Sequence, residues 1–291
     1  MQSSILKTAP LKYEGSDKVV VVSMVGHNTL FMYLLAIKSF MKFFGYGNIE
    51  AIDDGSLTPE DRQILNSHIP GISISNANDV DTHDCPTYIS WKRLFRVREL
   101  AESSYVIQLD SDTVSVGNLV EVHNNAKNNR GFVIGSNKWA TGVDVTFLKN
   151  IVSQWKSTHV QARAEQCFHK IEHFKDGTEY LRGCAGFAGY PKGFASIDDI
   201  RKLSKSIQEH VGDDWMQWGS EQTTTLCLIS KQKESSILTW PEYQNYGFPE
   251  TSEPTDSMNF IHFIGTNRFN DSEYCRLMKK FIDEEYFNTN T

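Results

Sequence analysis

The sequence predicts an α/β protein built on a mostly parallel sheet, and three observations carry that prediction. The run Val19–Val25 (VVVVSMV) is continuously apolar, as a strand covered on both faces must be. A long, largely apolar helical pattern follows it, TLFMYLLAIKSFMKFF. Strand-like and helix-like segments then alternate as far as Leu109, the order that lays helices on both faces of a parallel sheet.

Each element has a local reason. Asn28 is placed to cap the first helix, and Gly45 and Gly47 end it. Residues 49–52 read as a second strand that stops at Asp53-Asp54-Gly55-Ser56, where a new helix begins (LTPEDRQILNSH). A third strand is expected at 72–75, a helix at 91–102 (WKRLFRVRELAE) and a strand at Tyr105–Leu109. Residues 1–17 read as a loose leader. The second half is less regular. It offers a strand at 132–135 and one helical stretch over 147–174 with Trp155, Val160 and Phe168 as packing residues. The glycine-rich strand Cys184–Tyr190 follows, then helices at Ile197–Val211 and 222–230. Strands at 237–240 and 258–264 and an amphipathic helix over 272–287 close the chain. No linker or repeat divides it, so one domain over 18–288 is expected, in two halves, 18–135 and 136–288.

Composition narrows the classes. With 40% hydrophobic and 12% aromatic residues, 291 residues can bury a large core. A mean hydropathy of -0.40 and a longest apolar run of eight residues, 30–37, argue against a transmembrane segment. The formal charge of -7 argues against nucleic acid as a partner. Five scattered cysteines without a CxxC pair fit reduced thiols rather than a zinc site. No signal-like start is visible in MQSSILKTAP, so a cytoplasmic protein is expected, with peripheral contact with a membrane surface left open.

In parallel sheets ligands sit beyond the carboxyl ends of the strands, and both the DDGS and the Asp110-Ser111-Asp112 stretches fall there. On an extended chain residues i and i+2 share a side, so Asp110 and Asp112 would face one way. Two neighbouring carboxylates repel unless a cation or proton neutralises them, and hard oxygens suit Mg²⁺ or Mn²⁺. A hydrogen-bonded turn is the plainer alternative. In FIHFIGTNRF, His262 is either a satisfied core residue or a ligand; Gly265 allows close backbone approach and Arg268 offers a planar fork for phosphate. Arg93 belongs to a basic helix that Arg96 and Arg98 continue, which alone reads as a solvated face. Ser220, before Glu221 and Gln222, is placed either to cap the next helix or to meet substrate.

Taken in order from about Val19 to Phe269, these pieces resemble the GT-A glycosyltransferases, particularly family 8, the glycogenin-like and bacterial lipopolysaccharide galactosyl- and glucosyltransferases. WKRLFRVRELAESSYVIQLDSDTVSVGNL resembles the family's helix-strand-DxD block, with Arg93 at its basic position near the nucleotide. IDDGSLTPEDRQIL resembles the segment after its second strand, Glu221-Gln222 its acidic residue-Gln pair, and WPEYQN its Leu-Pro-x-x-Tyr-Asn segment. His262, Gly265 and Arg268 match the closing His-x-x-Gly-x-x-Lys pattern, with arginine for lysine and no Pro-Trp after it. SMVGHN lacks the acidic residue common near the base, and CAGFAGYPKG or ATGVD stands for the acceptor-side motif.

The resemblance implies a Rossmann-like GT-A fold, with 18–135 as the nucleotide-binding half and 136–288 as the acceptor-facing half, and metal-dependent transfer of a hexose from a nucleoside diphosphate sugar, UDP-sugar favoured. The acceptor would be a hydroxyl of a saccharide or glycolipid, in polysaccharide or glycoconjugate assembly. Asp110, Asp112 and His262 would hold Mn²⁺ or Mg²⁺, and Asp53, Asp54, Arg93, Asp110, Gly265 and Arg268 would meet the nucleotide. Glu221 and Gln222 would serve the donor sugar, with retention of configuration. An inverting GT-A enzyme using Asp213, Asp214 or Glu221 as base stays open. So do a sugar-nucleotide pyrophosphorylase, for which VSMVGHNT is a poor phosphate loop, and a non-catalytic sugar-nucleotide-binding protein.

Overall fold

The computed structural model describes residues 2–246, 257–269 and 272–288. Its first unit runs β1 (Val19–Val25), α1 (Leu30–Phe44), β2 (Asn48–Asp53), α2 (Pro59–His68) and β3 (Ser73–Asn76). The chain then returns through α3 (Ile89–Leu100) to β4 (Tyr105–Leu109) on the other side of β1. Next come β5 (Thr113–Ser115), α4 (Val120–Lys127), β6 (Phe132–Ile134), α5 (Val145–Val152) and α6 (Val160–Glu165). The remainder is β7 (Cys184–Tyr190), α7 (Ile197–Val211), α8 (Ser220–Ser230), β8 (Ser236–Leu238), β9 (Tyr243–Tyr246), β10 (Phe260–Phe263) and α9 (Glu273–Asn288).

The main sheet has seven strands in the order β3-β2-β1-β4-β7-β6-β8. β1 pairs in parallel with β2 and β4, whereas β7 runs antiparallel to both β4 and β6. Alternate side chains on each strand serve two cores, as the pleat requires. Val21, Ile49, Ile107 and Phe187 face α1 and α9, while Val22, Ile52, Val106 and Ala188 face α3 and the second-half helices. This two-sided burial is why VVVVSMV shows no polar alternation. Because β2 and β4 flank β1, the strand order reverses at the β1/β4 boundary, and such a boundary opens a ligand crevice at the strands' carboxyl ends.

A second sheet, β5-β10-β9, lies on α1: the backbone N–H of Ser115 donates to Ser39 Oγ at 3.1 Å. Its central strand, β10, pairs antiparallel with β5 and parallel with β9, and the register sets His262 opposite Thr113 and Asn245. Among the described residues no helix is long and apolar enough to cross a membrane.

Several expectations are corrected. Residues 147–174 form no single helix: α5 ends at Val152, α6 starts at Val160, and two 3₁₀ turns follow. Val160 and Phe168 are buried as expected, but Trp155 is 37% exposed. The segment read as a loose leader begins with a packed 3₁₀ turn, Gln2–Lys7, whose Ile5 is fully buried; the ammonium of Lys38 ties the following residues down through Thr8 Oγ1 (2.8 Å) and Ala9 O (2.5 Å). Asn28 lies in a 3₁₀ turn, His27–Thr29, and the residue before α1 is Thr29, with no side-chain cap. The basic face of α3 is no solvated stripe, since Arg96 makes a bidentate pair with the buried carboxylate of Glu50, at 2.7 and 2.9 Å.

Candidate metal centre

Asp110 leaves the end of β4, and its backbone N–H donates to Gly186 O at 2.8 Å. Residues 110–112 make a turn rather than an extended strand, with Thr113 Oγ1 donating to Asp110 O at 2.8 Å. The i, i+2 argument for a shared side therefore does not apply, yet the two carboxylates converge on a third residue. The N–H of Phe263 donates to Asp112 O at 2.8 Å and pins the turn to β10, whose His262 points its ring at both acids. His262 Nε2 lies 3.3 Å from Asp112 Oδ1 and 3.9 Å from Asp110 Oδ2. One ligand atom from each of the three lies within 4.8 Å of the others. Among the described residues this is the one His/Cys/Asp/Glu cluster with metal-ligand spacing.

A glycine makes room for the imidazole: a Cβ on Gly186 would stand 2.2 Å from His262 Cε1. The donor set is two carboxylates and one imidazole, gathered where strand order reverses, and it fits a hard or borderline divalent ion.

Two arginines flank the acids. Arg93 Nη1 donates to Asp110 Oδ1 at 2.6 Å, and its Nη2 lies 3.5 Å from Glu221 Oε1. Arg268, in the 3₁₀ turn Gly265–Phe269, reaches Asp112 Oδ2 at 3.1 Å, and its Nε donates to Gly265 O at 2.8 Å. Gly265 has φ +68, the left-handed conformation that favours glycine, and starts this turn. Burial raises Asp110 above the usual carboxylate range, with Arg93 opposing and the charge of Asp112 reinforcing it. Burial acts on Asp112 in the same sense, but His262 and Arg268 outweigh it and hold this carboxyl low. Burial works against charge on His262, and Cys184 and Asp112 overturn that, holding the imidazole well above its usual range. Glu221, 3% exposed, is pushed up to about 7 by burial although Arg93 pulls the other way.

Glu221 and Gln222 open α8, whose N-cap is Gly219 (φ +104); Ser220 is no cap. Its hydroxyl instead accepts the indole N–H of Trp91 at 2.9 Å, which ties α8 to α3. Gln222 Oε1 accepts from Cys184 Sγ at 3.1 Å and from Ala185 N at 3.3 Å, and its amide donates to Gln161 at 3.0 Å. Asp53 and Asp54 stand apart from the cluster in their bonding. Asp53 is 2% exposed; its Oδ1 accepts from the N–H groups of Gly55 (2.8 Å) and Leu57 (3.2 Å), and its Oδ2 pairs with Arg62. Asp54 is exposed and holds Ser56, and its carboxylate lies where a Cβ on Gly26, at the end of β1, would be. Asp214 pairs with Arg163, and Asp213 is exposed.

Sequence reasoning passed over Gly186, Cys184 and Asn245. Gly186 and Cys184 lie inside CAGFAGY and Asn245 ends WPEYQN, so the signal was present in both segments without a role attached to these positions.

The sheet order, the acidic turn after β4 and the separate small sheet carrying His262 define the GT-A fold expected from the sequence. The galactosyltransferase LgtC, solved with donor and acceptor sugar analogs, is similar with a TM-score of 0.53 and 13% identity over 90% of this chain and 95% of that one. The bifunctional glycosyltransferase WbbM gives a TM-score of 0.52 at 14% identity, covering 93% of this chain and 52% of that one. For the glycosyltransferase GlyE of Streptococcus pneumoniae TIGR4 the values are 0.51 and 15%, over 94% and 64%. No protein-family model and no curated protein matches the sequence. At these identities the likeness establishes the fold, and activity has to be argued from the site.

Proposed function

We propose that the protein is a metal-dependent glycosyltransferase that moves a hexose from a nucleoside diphosphate sugar, a UDP-sugar by preference, to a hydroxyl of a saccharide or glycolipid, with retention. The observation that carries this reading is the Asp110–Asp112–His262 cluster between Arg93 and Arg268 at the reversal of strand order. Solved neighbours of the same fold are glycosyltransferases, one of them holding donor and acceptor sugar analogs, which supports sugar ligands here.

Asp110, Asp112 and His262 would hold Mn²⁺ or Mg²⁺, which when bound supplies positive charge against the diphosphate as it departs. Arg268 and Arg93 add fixed positive charge beside the same acids, ready before reaction and needing no reorganisation. The bond from the anomeric carbon to the diphosphate breaks, the acceptor oxygen bonds on the same face, and its proton passes to the departing diphosphate. Support for retention comes from the carboxylates an inverting enzyme would need as base. Of the three candidates, Glu221 is buried against Arg93 and Asp214 is paired with Arg163, while Asp213 is exposed to solvent. Gln222, tied to β7 and Gln161, is placed to orient the donor sugar, with Glu221 holding Arg93. Five free thiols support a reducing, cytoplasmic setting.

The test is a thermal-shift screen of nucleoside diphosphates and their sugars, with and without Mn²⁺. A ligand at a hundred times its Kd adds about 2.7 kcal/mol to the folded state, a rise of several degrees for a domain of this size. The expected result is a shift for one nucleoside diphosphate that requires Mn²⁺. A screen in which no nucleotide shifts the transition in either condition overturns the assignment.

A further inference from the structure

The proposed ion site depends on which nitrogen of His262 is free to bind it, and the structure contains a device that decides this. Asn245, 6% exposed on β9, sits beside His262 in the β9/β10 register. Its Nδ2 donates to Gly135 O at 2.8 Å. That bond fixes which way the amide points, because the flipped amide would set two carbonyl oxygens against each other. The amide oxygen is thereby turned to His262 Nδ1, 3.0 Å away. A carbonyl oxygen can only accept, so Nδ1 must carry a proton.

A second neighbour agrees. Cys184 Sγ lies 3.7 Å from the same nitrogen, and its own proton is directed to Gln222 Oε1 at 3.1 Å. The sulfur therefore presents lone pairs to Nδ1. With Nδ1–H held by these acceptors, the lone pair a cation can take from this ring is the one on Nε2, the atom that faces Asp112 and Asp110. An imidazole that binds a metal through one nitrogen commonly donates the other N–H to a fixed acceptor, and loss of that partner weakens binding.

The geometry points to Asn245 as a positioning residue that, anchored by Gly135, holds the proton of His262 on Nδ1 and so reserves Nε2 for the cation. The inference rests on the metal reading of Asp110, Asp112 and His262, and it extends that reading to the WPEYQN segment.

Two substitutions separate this role from a structural one. Both Asn245→Asp and Asn245→Leu remove the bond to Gly135 O, but only the aspartate keeps an acceptor for Nδ1–H. Mn²⁺ binding to the otherwise unliganded protein is measured by the electron paramagnetic resonance of free Mn²⁺, alongside the melting temperature of each variant. The expected result is a loss of about 10- to 100-fold in Mn²⁺ affinity for Asn245→Leu and a clearly smaller loss for Asn245→Asp, which keeps the acceptor for Nδ1–H although its second oxygen stands against Gly135 O. Equal affinities in all three proteins, or equal losses in both variants, overturn the inference. A second measurement needs no variant: ¹⁵N resonances of His262 in the wild type loaded with Cd²⁺, a diamagnetic probe. Protonated Nδ1 with ligated Nε2 is expected, and the opposite arrangement overturns the role even if Asn245→Leu does not fold. A wild type that binds neither Mn²⁺ nor Cd²⁺ overturns the metal reading itself, together with this consequence of it. One that binds both while the variants fail these tests overturns the role of Asn245 alone.

Discussion

Replacing Asp112 with asparagine is expected to lower turnover by at least about a thousandfold and to abolish its response to Mn²⁺. The substitution keeps the size of the side chain and removes its charge, so its effect is electrostatic rather than steric. Asp112 is the acid that contacts both His262, at 3.3 Å, and Arg268, at 3.1 Å. Without its charge the proposed ion loses an anionic ligand, and Arg268 loses its carboxylate partner. The measurement is hydrolysis or transfer of the nucleotide sugar found in the thermal screen, with Mn²⁺ varied over a wide range. Near-normal turnover would remove the acid from the site and sink the assignment. Asp53→Asn is the matched control. Its carboxylate is engaged with Arg62 and with the N–H groups of Gly55 and Leu57, so loss of about 1–3 kcal/mol of stability is expected, with Mn²⁺ affinity unchanged. Denaturant titration and Mn²⁺ titration of the two variants should therefore separate cleanly.

The contrast between these aspartates shows what a sequence can convey. Both sit where a strand ends, and strand ends are legible because Val19–Val25 and Tyr105–Leu109 are buried on both faces and carry no polar alternation. Which carboxylate is left to meet a ligand depends on contacts made by distant residues. Arg62 comes from α2 to engage Asp53, whereas His262 is delivered to Asp112 by the β5/β10 pairing. The order of motifs along the chain carried the convergence of His262 with the acidic turn, although the extended geometry assumed for that turn was wrong. Local pattern failed where tertiary pairing builds the element. β9 is the polar sequence YQNY, and its Gln244 and Asn245 are buried because the small sheet and the site engage them. The break between α5 and α6 was hidden by apolar residues that kept helical spacing on either side. Side chains override that spacing: His159 caps α6 by accepting from the N–H of Gln161 at 3.2 Å, and Ser157 Oγ accepts from His159 N at 3.2 Å.

Gly186→Ala is the other substitution with a large expected effect, and it tests the site from the opposite side. Gly186 belongs to β7 and touches no proposed ligand through a side chain, yet its missing Cβ is the space His262 occupies. An added methyl would lie 2.2 Å from Cε1, 2.6 Å from Nε2 and 2.8 Å from Nδ1, and no real Cβ contact is that short. The ring has little freedom to yield, since Asn245 holds Nδ1 at 3.0 Å and the residue is 4% exposed. β7 is equally constrained, because Gly186 O accepts the N–H of Asp110 at 2.8 Å and any retreat would drag the acidic turn with it. Overpacking of this kind costs about 1–3 kcal/mol of stability. Displacement of Nε2 from the two carboxylates is expected to weaken Mn²⁺ binding at least about tenfold, the lower end of what loss of a supporting contact costs at metal sites. Gly15→Ala is the control, since its Cβ would meet only Asn48 Oδ1, at an ordinary 3.5 Å. Mn²⁺ titration and thermal melts of both variants decide the matter. A Gly186→Ala protein that folds and binds Mn²⁺ as tightly as the wild type would show that His262, in the place the fold gives it, is not a ligand.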